Sequence, residues 1–176
     1  MASPACGQAR STGPLYARTH RFVYTAVVPV AGVIQADLVL RAGAWARRVT
    51  PAGQLPISTS GPDTEVVKTT GACPFAYEWG GQAVLGELRY AATISVREGR
   101  YRYEVKDFAF VEPGAGRSPA STTPAETYYN GNFKPYTEQA SRFQATMRTC
   151  FTEIVQEELA RLQESMSQLT NKPGNE

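Results

Sequence analysis

Residues 88–111, LRYAATISVREGRYRYEVKDFAFV, constrain this chain more than any other stretch. They read as two β-strands meeting at Glu98-Gly99. A two-residue turn needs a positive φ, which glycine adopts without a Cβ penalty. A turn there sets the register. Arg97 faces Arg100, Val96 faces Tyr101, Ser95 faces Arg102, Ile94 faces Tyr103, Thr93 faces Glu104 and Ala92 faces Val105. Alternation then collects Ala92, Ile94, Val96, Tyr101, Tyr103 and Val105 on one face. Ala91, Thr93, Ser95, Arg97, Arg100, Arg102, Glu104 and Lys106 fall on the other. A slip of one residue would mix the two sets, and each aromatic or β-branched cross-strand pair adds ~0.2–1 kcal/mol. Arg97 opposite Arg100 is a like-charge pair, tolerable because it is wet and Glu98 is adjacent. Beyond Val105 the bulk passes to Phe108 and Phe110. This predicts a bulge at Lys106-Asp107 or a strand end buried on both faces.

The rest of the chain supplies cover for that hairpin. With 176 residues, 42% hydrophobic and 19% charged, one soluble domain with an ordinary core is expected. A net charge of +2 demands neither nucleic acid nor an acidic membrane as partner. No run approaches the ~18 apolar residues of a membrane span. Residues 1–18 are rich in Gly, Pro, Ser and Ala and read as disordered or as the remnant of a signal peptide. Cys6-Gly7-Gln8-Ala9 resembles the small-residue end of a secretory signal, without the basic and apolar parts. A flexible start to a cytoplasmic chain is the alternative. Residues 19–171 form the domain and 172–176 a tail.

Phe22, Tyr24, Ala26 and Val28 alternate along a first strand over 21–30. Residues 34–49 have helical period, with Leu38, Ala42, Trp45 and Val49 as the buried stripe. Residues 50–64 read as a loop. Short strands follow over 65–70 and 75–79, separated by a turn at 71–74, and Gly80-Gly81 turns the chain toward the hairpin. A long loop spans 112–134. Loops of that length are functional or disordered. Tyr128, Tyr129, Asn130 and Phe133 at its end are a candidate binding surface, since exposed aromatics on a turn stack on ligands. Folding back onto the sheet, or forming one more hairpin, is the favoured reading. A helix covers 137–171, with Thr137 as N-cap. Its apolar stripe runs Phe143, Met147, Cys150, Ile154, then resumes one residue out of phase at Val155, Leu159, Leu162, Met166 and Leu169. The second half is therefore expected to pass the sheet edge, where 155–169 offer a surface for self-association.

Chemistry-bearing motifs are scarce. No phosphate loop, nucleophile elbow or zinc-protease motif is present, and the single histidine is His20. Cys6, Cys73 and Cys150 lack metal-ligand spacing, so neither metal nor other cofactor is expected. Cys73 and Cys150 would close a disulfide in an oxidising compartment, with two buried free thiols at least as well supported.

VVPVAG at 27–32, ADLVLRAGAW at 36–45 and YAATISVREGRYRYEVKDFAF at 90–110 resemble a family of bacterial domains of unknown function, mostly exported Bacteroidetes proteins, with a TBP-like fold. The resemblance covers about half the chain. It implies an α+β fold, a curved antiparallel sheet with helices on one face and a long C-terminal helix, and it implies export to the periplasm or outer membrane. It carries no activity. On such a fold the uncovered face would present Arg89, Thr93, Arg97, Arg100, Arg102 and Lys106. It lacks the apolar wedges by which TATA-binding protein kinks DNA, so no nucleic acid is expected. The reading is a non-enzymatic binding or envelope-associated domain for an unknown protein or small ligand. The alternatives are a self-associating structural protein and an enzyme with carboxylate or tyrosine chemistry beside the 112–134 loop.

Overall fold

A computed structural model describes residues 20–79, 81–114, 120–129 and 135–168. The order is β1 (Val23–Pro29), α1 (Gln35–Val49), β2 (Ile57–Ser60), β3 (Glu65–Trp79), β4 (Gln82–Arg97), β5 (Arg100–Glu112), β6 (Ser121–Pro124), a 3-10 turn (Ala125–Tyr128) and α2 (Glu138–Ser167). The strands form one antiparallel sheet in the order β1-β5-β4-β3-β2, with β6 also on β5. This is the expected α+β arrangement.

The hairpin has the predicted register, from Ala92 opposite Val105 to Arg97 opposite Arg100. Gly99 takes φ 67° in the turn. The bulge is present: pairing shifts between Arg89 and Ala91, and Asp107 sits at φ 56°. The extra residue returns Phe108 and Phe110 to the face of Val105, where all three are buried. It also divides the outer edge of β5, with β1 along 100–106 and β6 along 109–112.

β3 is one strand of 15 residues, not the two expected. Gly71 and Pro74 suggested a turn, yet both lie within the ladder. A Cβ on Gly71 would stand 2.1 Å from Cζ of Tyr90, so glycine is what lets that ring lie across the strand. Pro74 lies past the part of β3 that pairs with β2, where no outer neighbour needs its missing N–H. The expected loop at 50–64 contains β2, four exposed residues on the edge.

Both helices cover the face of Ile94 and Tyr103. α1 buries Leu38, Ala42, Trp45 and Ala46, with Asp37 in its first turn and Arg47 and Arg48 in its last, matching the helix dipole. α2 is capped by Thr137, whose hydroxyl accepts from Ala140 N. Its buried residues run Met147, Phe151, Val155, Glu158, Leu162, Ser165 and Met166. This is one continuous stripe, and the expected break at 154/155 is absent. Phe151 and Glu158 bridge it. The second half therefore packs into the core instead of passing the sheet edge. Arg41 of α1 is buried and donates 2.8 Å to the carbonyl of Met166, tying the two helices together.

Candidate functional site

The uncovered face of the sheet is basic at the hairpin tip. Arg97, Arg100 and Arg102 are exposed there and rim a depression of about 410 Å³ with Thr64, Ser95, Val27 and Tyr101. The register places Arg97 across from Arg100 and Ser95 across from Arg102, so the three cations rise from successive rungs of the same face. Arg97 Nε donates to Thr64 Oγ1 at 2.8 Å, a neutral partner that aims the guanidinium without cancelling its charge. The nearest carboxylate to Arg102 is Glu104, at 4.0 Å, and Glu104 lies much closer to Lys106, at 2.7 Å. Glu98 does not neutralise the pair beside it. Its carboxylate turns toward the covered side and accepts from Gln35 N, at the start of α1, at 2.8 Å. The turn is further fixed by Val30 N donating to Gly99 O and Gly99 N donating to Val33 O.

The other expected face residues are spread along the strands. Thr93 and Lys106 are half-buried at mid-sheet, and Lys106 is held protonated above its ordinary range by its hydrogen bond to Glu104. Arg89 lies nearer the far end, paired at 3.0 Å with Glu87. That end of the face is more apolar, with Pro74, Leu85 and Val111 around a second depression of about 420 Å³. The structure thus brings Arg97, Arg100 and Arg102 together and leaves Arg89, Thr93 and Lys106 apart from them.

The aromatic loop is folded inward where it is described. Tyr128 is buried against Phe110 and Phe143, and Tyr129 is half-buried against Phe22 and Phe151. Gln144 and Arg148 both donate to the carbonyl of Tyr128. The preceding Glu126 is buried and accepts from Phe22 N at 2.9 Å. These two tyrosines therefore serve the core, while Asn130 and Phe133 lie outside the described residues. Of the two readings of Cys73 and Cys150, the structure has the free thiols and not the disulfide, with Cys73 buried and Cys150 half-buried. Cys73 lies beside Glu158, and eight helical residues, about 12 Å, separate that point from Cys150. Of the stripe read as a surface for self-association, Val155, Leu162 and Met166 are buried in the chain's own core, Leu159 is half-buried, and Leu169 lies outside the described residues.

Sequence reasoning missed a polar network under α2. Tyr90 donates to Glu158 at 3.0 Å and Arg161 donates to its other oxygen at 2.7 Å. The Cys73 thiol lies beside the same carboxylate. Burial, then the Glu158 charge, push the Cys73 thiol up to about 12 and hold the Tyr90 phenol far above its ordinary range. Both groups therefore stay protonated at neutral pH, and Tyr90 acts as a donor. Glu158 and Arg161 also line a cavity of about 530 Å³ between α1, α2 and β3, with Arg48, Glu164 and Gln168. The available sequence signal was an acid within an otherwise apolar helical stripe, a position that needs partners.

No protein-family model matches the chain, and no curated protein does. Two solved structures are similar to it. A DUF4468 family protein from Bacteroides ovatus superposes with a TM-score of 0.60 at 12% identity, over 88% of this chain and 91% of that one. A TBP-like protein from Parabacteroides distasonis gives a TM-score of 0.48 at 13% identity, over 83% and 95%. The fold expected from the sequence resemblance has a solved counterpart in the Bacteroides ovatus protein. The chain has the fold of the Bacteroides ovatus DUF4468 protein, and at this identity the likeness concerns fold alone.

Proposed function

We propose that the protein is a non-enzymatic binding domain that engages its partner on the uncovered face of the sheet, at the tip of β4 and β5. The observation that carries this reading is the group of Arg97, Arg100 and Arg102 around a depression whose described lining contains no carboxylate. Two cations without an ion pair among the described residues, beside a third whose acid stands 4.0 Å away, suit an anionic partner. Export to the cell envelope belongs to the same proposal. It rests on the small-residue run at 6–9 and on the family resemblance, and fractionation of cells expressing the gene from its own locus tests it.

The binding test compares cross-linked species captured by the wild type and by R97E/R100E/R102E. R142E serves as control, since Arg142 is exposed on α2 and pairs only with the neighbouring turn. Loss of a species with the triple variant, and its retention with R142E, is the expected result. An unchanged set of species removes the sheet tip as the binding surface.

A further inference from the structure

We infer that the sheet tip is an oxyanion site, built for a phosphate or sulfate group carried on a larger ligand. The inference rests on the open-face reading above and adds the chemistry of the ligand.

Like charges directly opposite on neighbouring strands destabilise a hairpin. Here Arg97 faces Arg100, and Arg102 follows on the same face two residues later. The sequence offers a remedy in Glu98, but that carboxylate is committed to Gln35 N on the other side. Glu104 is committed mainly to Lys106. Among the described residues no ion pair is formed by Arg97 or Arg100. Three arginines thus line one depression while Glu98 and Glu104 have closer partners elsewhere. Local rules broken without compensation mark functional positions.

The rest of the lining fits the same chemistry. Thr64 and Ser95 add hydroxyl groups, and Val27 adds a small apolar wall, 57% exposed. Guanidinium forks bind tetrahedral oxyanions through paired N–H donors, which a lysine ammonium cannot reproduce. Several forks around one depression favour a group with three free oxygens over a single carboxylate. The hydrogen bonds fixing the turn to the 30–35 connection pre-set the site before any ligand arrives.

The test is NMR titration of the arginine Nε resonances with inorganic phosphate, inorganic sulfate and chloride at matched ionic strength. The expected result is saturable shifts at Arg97, Arg100 and Arg102 with phosphate and sulfate, and none with chloride. R100A should weaken phosphate binding about tenfold or more, and R100K should recover only part of it, because charge returns without the fork. Equal shifts with chloride, or shifts spread evenly over all arginines, overturn the inference. So does a full recovery by R100K, which would reduce the site to a point charge. Vesicles of anionic phospholipid then separate the sources. Flotation lost in R100A assigns a lipid headgroup, whereas phosphate binding without flotation assigns a soluble ester. Both support the oxyanion site. Failure here is distinguishable from failure of the binding surface. Partner capture lost in the triple variant, with no saturable anion shift, keeps the surface and removes the oxyanion.

Discussion

At the scale of single residues, three positions decide the interior. Gly71 leaves room for the ring of Tyr90, and Tyr90 in turn reaches Glu158. Gly71→Ala should therefore displace the ring and disturb the network behind it. Overpacking of this kind costs ~1–3 kcal/mol, and chemical denaturation should show a midpoint shift of that size. Cys73 gives a pH prediction. Its thiol titrates near 12 in the folded state and at an ordinary, lower value when unfolded. A raised folded value means that stability is complete below the unfolded value and declines as pH climbs toward about 12. The wild type should lose stability over that alkaline window more steeply than Cys73→Ala. Native protein at mildly alkaline pH should also leave Cys73 unalkylated by iodoacetamide, read by peptide mass spectrometry. Prompt labelling at Cys73 would contradict the buried, protonated thiol.

Among the elements, legibility followed periodicity. The β4–β5 hairpin could be read residue by residue because its two faces differ in polarity at period two, and the bulge at Asp107 could be read from the phase of Phe108 and Phe110. β3 could not, because Gly71 and Pro74 carry turn signals whose real causes are a neighbour's ring and an unpaired edge. The stripe of α2 was misread for a similar reason. Glu158 is a core position occupied by an acid, so counting apolar residues alone produced a false break. The order in 120–129 depends on single side-chain contacts such as Glu126 to Phe22 N, which leave no periodic trace. The arginine row of the site was visible in the sequence. That Glu98 points away from it was not, since only the fold brings Gln35 within reach. One prediction belongs to α2. Leu162 is fully buried, so Leu162→Ala should cost ~2–5 kcal/mol. The loss should be independent of protein concentration, as checked by denaturation at two concentrations. A concentration-dependent loss would restore the helix as an association surface.

For the whole molecule, burial is graded from the middle of the sheet outward. Leu88, Ile94, Val96, Tyr101, Tyr103 and Phe110 of β4 and β5 are nearly inaccessible, whereas every residue of β2 is exposed. Backbone amides in well-covered central strands open only with global unfolding, and exposed edges open locally. Hydrogen exchange should therefore be slowest in β4 and β5 and fastest in β2 and β6. Equal protection in β2 and β4 would mean that the edge is covered in solution by something outside this fold.

The carboxylate of Glu98 couples the two sides of the sheet. The arginines beside it look outward, while its own grip is on the first turn of α1, and through Arg41 that helix holds the last turn of α2. A load placed on the tip would therefore be transmitted to the helical layer like force along a lever, and the layer would resist in return. The hairpin end is thus braced from behind, by hydrogen bonds to the connection and helix on the side away from the surface it presents.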